Sequence, residues 1–154
     1  MFIHKFVSFY TYIIWLLSHI MIGNRFGKGV DFLPFDVEYF EKENGAFPAE
    51  TFILEQPPKM QAKIFRDLEL LEKSGHELRE PYSSFLEDGI FELRTIQGNN
   101  IARILYFFAV GNKIILTHGF MKKTQKTPRN QIEMAKKYRN EYLKREENKN
   151  EQKF

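Results

Sequence analysis

Apolar and polar positions change period along this chain. Residues 35–40 (FDVEYF) alternate apolar and acidic, which predicts a strand with one buried face, ended by Asn44-Gly45. Residues 48–54 (PAETFIL) read as a short helix with proline at its first position. A longer helix is predicted from Pro58 to a capping Gly75, with Ile64, Leu68 and Leu71 at i, i+4 and i+7 forming its buried stripe. From residue 91 the pattern is that of strands. Residues 91–96 form the first, Gly98-Asn99-Asn100 supplies a turn, and 101–110 is an almost wholly apolar second strand. Gly111-Asn112 turns the chain again into 113–118 (KIILTH). Strands joined by turns this short predict an antiparallel meander with 101–110 at its centre. A loop follows to residue 126, and Thr127 is expected to cap a helix beginning at Pro128 and ending near Arg145. Ile132, Ala135, Tyr138 and Tyr142 fall on its inner side, and residues 146–154 read as a charged, frayed tail. Two helices ahead of the meander and one behind it make an α+β class.

The first 29 residues stand apart. Residues 6–22 (FVSFYTYIIWLLSHIMI) carry no formal charge and sit at the lower limit of a membrane span. The basic flanks Lys5, Arg25 and Lys28 do not distinguish inside from outside, and no small-x-small cleavage pattern follows. Three readings stay open: an extension created by an upstream start, with Met21 the more natural beginning; a membrane anchor; or a helix packing on a partner. The division expected is an apolar extension over 1–29, one domain over 30–145 and a tail over 146–154. The location expected is cytoplasmic, with membrane contact only if 6–22 inserts. A chain of 154 residues suits one core. With no cysteine, disulfides, thiolate zinc sites and cysteine nucleophiles are excluded.

Charge changes the picture further. The net +3 conceals 15 acidic against 6 basic residues over 31–92, and 14 basic against 5 acidic over 93–154. A basic half of this kind either meets a polyanion or is a solvated surface. Arg94 and Arg103 lie in strands that should be buried. Each therefore needs a carboxylate, for which Glu87, Asp88 and Glu92 are candidates, or a groove open to phosphate. Lys122, Lys123, Lys126 and Arg129 crowd eight residues with no acid among them, at the entry to a helix whose free N–H groups also favour an anion. His118 borders this cluster and is the candidate for moving a proton, with a structural histidine as the alternative. No set of His, Asp and Glu has metal-ligand spacing, and no cofactor is expected.

The run FELRTIQGNNIARILYFFAVGNKIILTHGFMKKTQKTP, followed by a basic helix, resembles the RelE/HigB superfamily of bacterial toxins. It is most similar to a phage-associated, HigB-like branch with a Gly-Phe-x-Lys-Lys-Thr-x-Lys-Thr-Pro signature. The resemblance spans residues 31–145 and includes EPYSSFLEDGIFELR. It implies a RelE-like microbial RNase fold with a curved antiparallel sheet, and metal-independent, ribosome-dependent cleavage of messenger RNA. It also implies neutralisation by a cognate HigA-like, helix-turn-helix antitoxin. By the same resemblance Arg103 holds the scissile phosphate, Lys122 and Lys123 act beside it, and Arg94 lines the groove. Glu92 stands where RelE proteins tend to carry lysine, so the resemblance supplies no lysine for proton transfer on that strand. The expected chemistry is attack of the RNA 2′-hydroxyl on the adjacent phosphorus, with Arg103 and Lys122 or Lys123 stabilising the transition state and His118 as proton shuttle. Lys126 and Arg129 are expected to bind RNA. The alternatives are a ParE-like inhibitor of DNA gyrase and an inactive prophage relic.

Overall fold

The computed structural model describes residues 34–153, and the apolar 6–22 segment lies outside them. A five-stranded sheet runs in the order β1-β5-β4-β3-β2. Its strands are β1 (Asp36–Tyr39), β2 (Ser83–Glu87), β3 (Ile90–Gln97), β4 (Asn100–Ala109) and β5 (Lys113–Met121). The helices are α1 (Pro48–Leu54), α2 (Pro58–Ser74) and α3 (Arg129–Glu151), with one 3₁₀ turn at Gly75–Glu77.

The expected meander is present as antiparallel β3-β4-β5, with the apolar β4 at the centre. The sheet as a whole is mixed rather than antiparallel, because β1 lies parallel to β5, pairing Asp36 with Lys113 and Tyr39 with Leu116. The helices α1 and α2 carry the chain away from β1, so it occupies the far edge and covers β5 there. Lys113 Nζ meets Glu38 Oε1 at 2.7 Å across this pair. The sequence analysis did not separate β2, which adds to β3 as the other edge.

Side chains alternate along each strand, so each sheet face has its own core. One face takes Leu93, Ala102, Ile104, Tyr106, Ile114 and Leu116 against Ala49 and Ile53 of α1 and Met60, Ile64, Leu68 and Leu71 of α2. The stripe expected on α2 is therefore buried. Gly75 ends α2 with φ +49°, and a Cβ there would stand 1.9 Å from the Phe35 ring, so glycine is required both for conformation and for space. The opposite face takes Ile90, Leu105, Phe107 and Ile115 against Ala135, Tyr138 and Tyr142 of α3. Only part of that face is covered by α3.

One irregularity in β5 matters. Register with β4 shifts between Leu105/His118 and Tyr106/Leu116, leaving Thr117 as an extra residue. Leu116 faces the α1/α2 side, and the bulge turns His118 and Phe120 to the α3 side, opposite Leu105 and Arg103. The Thr117 hydroxyl donates to the Leu105 carbonyl at 3.0 Å inside the bulge.

The end of β5 and the start of α3 differ from expectation. The strand runs on to Met121, so the loop is shorter. Pro128 rather than Thr127 holds the cap position, with no side-chain cap, because the Thr127 hydroxyl is engaged elsewhere. The helix continues past residue 145 to Glu151.

Candidate functional site

The uncovered part of the α3-side face is a polar floor built from adjacent strands. Cross-strand pairing places Arg94 of β3 opposite Arg103 of β4, and Arg103 opposite Phe120 of β5. Glu92 lies on the same face two residues before Arg94, opposite Leu105. Buried charge must be compensated locally, and here it is. Glu92 is fully buried and receives Arg94 Nε at 2.5 Å, while Arg103 Nη1 lies 3.7 Å from it. The Thr127 hydroxyl donates to the same carboxylate. Two guanidiniums share this carboxylate, and Arg94 also reaches the exposed Glu80 at 2.7 Å, so the charges of the floor balance.

Arg103 is 3% exposed, and its fork reaches out of the sheet to the loop. Nη1 donates to Thr127 Oγ1 at 2.7 Å and Nη2 donates to the Gln125 carbonyl at 2.8 Å. Its Nε has no hydrogen-bond partner. Arg103 thus holds down the loop between β5 and α3 from below.

Above Arg103 lies a cavity of about 310 Å³, walled by Phe120, Lys122, Lys123, Pro128 and Gln131. The Lys122 backbone N–H donates to the Ile101 carbonyl at 2.8 Å, which fixes where its side chain leaves the sheet. Its ammonium lies 3.3 Å from Gln125 Oε1. Lys123 is exposed. Arg103, Lys122 and Lys123, named together from the sequence, therefore share one cavity.

The other candidates lie apart from it. Arg94 points toward β2, donating to Glu80 at 2.7 Å and Ser84 at 3.0 Å as well as to Glu92. Lys126 is exposed on the loop and does not line the cavity. Arg129 pairs with Glu87 at 2.6 Å and Glu133 at 2.7 Å; its hydrogen bond to Glu87 raises its pKa, and Glu87 is lowered first by its hydrogen bond from Lys136 and then by that from Arg129. Lys136 joins the same network through Glu87 and Asp88, tying α3 to the β2–β3 turn. His118 is buried behind the cavity rather than lining it. Its Nε2 meets Gln131 at 2.7 Å, and burial lowers its pKa, opposed by that hydrogen bond. His76 is exposed and stacks on Phe108, at 3.7 Å between ring centres. Among the described residues no group of three or more His, Asp or Glu could hold a metal ion. No helix among them is long and apolar enough to cross a membrane.

Sequence reasoning missed Thr127 as a bridge between Glu92 and Arg103, and Gln131 as a cavity wall. For Gln131 a signal existed. It stands at i−4 from Ala135 and i−7 from Tyr138, a polar residue opening the apolar stripe of α3.

A family model described as "Phage derived protein Gp49-like (DUF891)" matches residues 51–140, from α1 into α3, and so includes every residue of the cavity and its floor. No curated protein matches the chain.

Proposed function

Because the chain belongs to the phage-derived Gp49-like family, in general a family of RelE/HigB-type toxins of toxin–antitoxin systems, we propose that it is an endoribonuclease that cuts messenger RNA on the ribosome. The observation that carries this is the convergence of Arg103, Lys122 and Lys123 on one cavity of about 310 Å³. Cations held this close repel one another in an empty site and favour a bound anion. A phosphodiester is the anion that fits a basic cavity with an aromatic wall, Phe120.

The reaction is attack by the ribose 2′-oxygen on the adjacent phosphorus. The O2′–P bond forms as the P–O5′ bond breaks, the 2′-hydroxyl proton passes to a base, and the 5′-oxygen takes up a proton on leaving. The products are a 2′,3′-cyclic phosphate and a 5′-hydroxyl. Lys122 and Lys123 grip the non-bridging oxygens, and Arg103 contributes charge from the floor while fixing the loop that carries the lysines. The ribosome supplies further positioning. The partner in this reading is an antitoxin of the HigA-like, helix-turn-helix kind that covers the basic cavity.

Brief expression followed by primer-extension mapping of cellular transcripts tests the proposal. Codon-linked cuts that vanish in a Lys122→Ala/Lys123→Ala variant support it. DNA damage without transcript cuts would instead support gyrase inhibition, and neither effect would support an inactive relic.

A further inference from the structure

The mechanism above gives His118 no task, although it lies directly behind the cavity. Its Nε2 stands 2.7 Å from Gln131 Oε1, a distance at which the ring N–H donates to the amide carbonyl. Burial favours the neutral ring, and the proton on Nε2 serves this bond. Nδ1 then lies 3.2 Å from the Thr117 hydroxyl in the bulge of β5. A buried histidine therefore grips one end of the amide and decides which end is left over. That end is the NH₂ group, which Gln131 turns to the cavity and which has no hydrogen-bond partner among the described residues.

The other donors at the cavity differ from it in kind. Lys123 is exposed and Lys122 half-buried, each an ammonium on a flexible four-carbon stem. They attract an anion without fixing its orientation. Both Nη atoms of Arg103 are engaged by the loop, and its Nε is closed to solvent. Gln131 is rigid by comparison. It stands in the first turn of α3, at the positive end of the helix, and its carbonyl is tied to the sheet through His118. No carboxylate among the described residues lines the cavity to answer these donors.

We propose that Gln131 is the orienting residue of the cavity: its NH₂ group, held outward by His118, donates to one non-bridging oxygen of the phosphate that Lys122 and Lys123 attract. This rests on reading the cavity as an RNA-phosphate site. A phosphate oxygen is an acceptor and suits an amide N–H. With one oxygen fixed, the phosphate stops turning in the site, and the in-line approach of the 2′-oxygen is set. His118 touches no substrate and acts through Gln131 as a positioning residue.

Gln131 carries no charge, and this separates it experimentally from the lysines. Its contact releases no counterion, whereas each lysine contact to a single strand adds about 0.7 to the slope of log affinity against log salt. Fluorescence anisotropy of the full chain reads both, with a single-stranded 2′-O-methyl RNA that cannot attack its own phosphate. Gln131→Met, close in size, should weaken binding about tenfold at every salt concentration with the slope unchanged. Lys122→Ala should lower the slope by about 0.7. His118→Phe keeps the ring contacts with Phe120 and Tyr138 but releases the amide. It should show most of the same loss, and the double variant should bind no worse than Gln131→Met alone. Wild-type affinity in Gln131→Met, beside a reduced slope in Lys122→Ala, keeps the cavity and overturns the assignment of Gln131. A changed slope in Gln131→Met overturns it too, since the loss would then come from displaced lysines. Additive losses in the double variant would overturn the role of His118. No binding by the wild-type chain removes the cavity reading together with the proposal.

Discussion

Glu92 and Arg103 meet diagonally across neighbouring strands with at most 4% of either side chain exposed, Oε2 3.7 Å from Nη1. The same carboxylate holds Arg94 and takes the Thr127 hydroxyl, so one buried acid joins β3, β4 and the basic loop. Removing either side of such a cluster leaves an uncompensated charge in a dry place.

Glu92→Ala should therefore lower stability by about 3–5 kcal/mol, read as a shift in the urea midpoint at constant slope. A loss below about 1 kcal/mol would mean that water reaches the two guanidiniums.

Lys122→Ala/Lys123→Ala separates function from folding. Lys123 is exposed and Lys122 only half-buried, and neither forms an ion pair among the described residues. Stability should stay within roughly 0.5 kcal/mol of wild type. Growth arrest on induction should be lost. Arrest at wild-type strength from a double variant expressed at the same level would contradict the role given to these lysines.

Thr127→Val keeps the shape and removes the hydroxyl that stands between Glu92 and Arg103. The cost should be about 1–3 kcal/mol, since a buried acceptor loses its donor. Amide hydrogen exchange should quicken over residues 122–127 while β4 stays protected, because Arg103 then holds the loop through the Gln125 carbonyl alone.

His118 predicts how stability varies with pH. Its pKa in the folded protein lies below the ordinary 6.5 because the ring is buried. Between those two values the unfolded chain binds more protons than the native one, so stability falls as pH drops through about 6.5 and levels off below the folded pKa. The urea midpoint should be lower near pH 5 than near pH 7.5, and the difference should shrink in His118→Gln. An equal difference in that variant would place its origin elsewhere.

Much of the fold was legible because its periods are regular. The helices α1 and α2, the order β3-β4-β5 and the inner side of α3 all follow from spacing and turn residues. β1 was legible as a strand but not as the parallel neighbour of β5, since nothing local in 35–40 records a partner near residue 113. β2 escaped because the charged pair Glu87-Asp88 and its short alternation merge with the turn that follows. At the site, the grouping of Arg103 with Lys122 and Lys123 survived, because sequence neighbours of a strand end stay neighbours in space. Arg129 was separated from them by the direction of its first helical turn, which aims it at Glu87. The roles of Thr127 and Gln131 depend on side-chain partners from distant strands, and only the folded chain shows those.

The single extra residue in β5 works as a frameshift written in three dimensions. Upstream of Thr117 one set of side chains faces the paired helices, and downstream the opposite set does, although the strand never leaves the sheet. Gly119 and Met121 thereby fall on the dry side, where Gly119 makes room for the Phe52 ring, and His118 and Phe120 fall on the other. Deleting Thr117 would take out the bulge and its hydroxyl bond to the Leu105 carbonyl, and Leu116, His118, Gly119 and Phe120 would then alternate plainly, each on the face it holds now. A one-residue insertion is usually absorbed in a loop; here the strand itself absorbs it, and the protein's inside and its working surface keep their own sides.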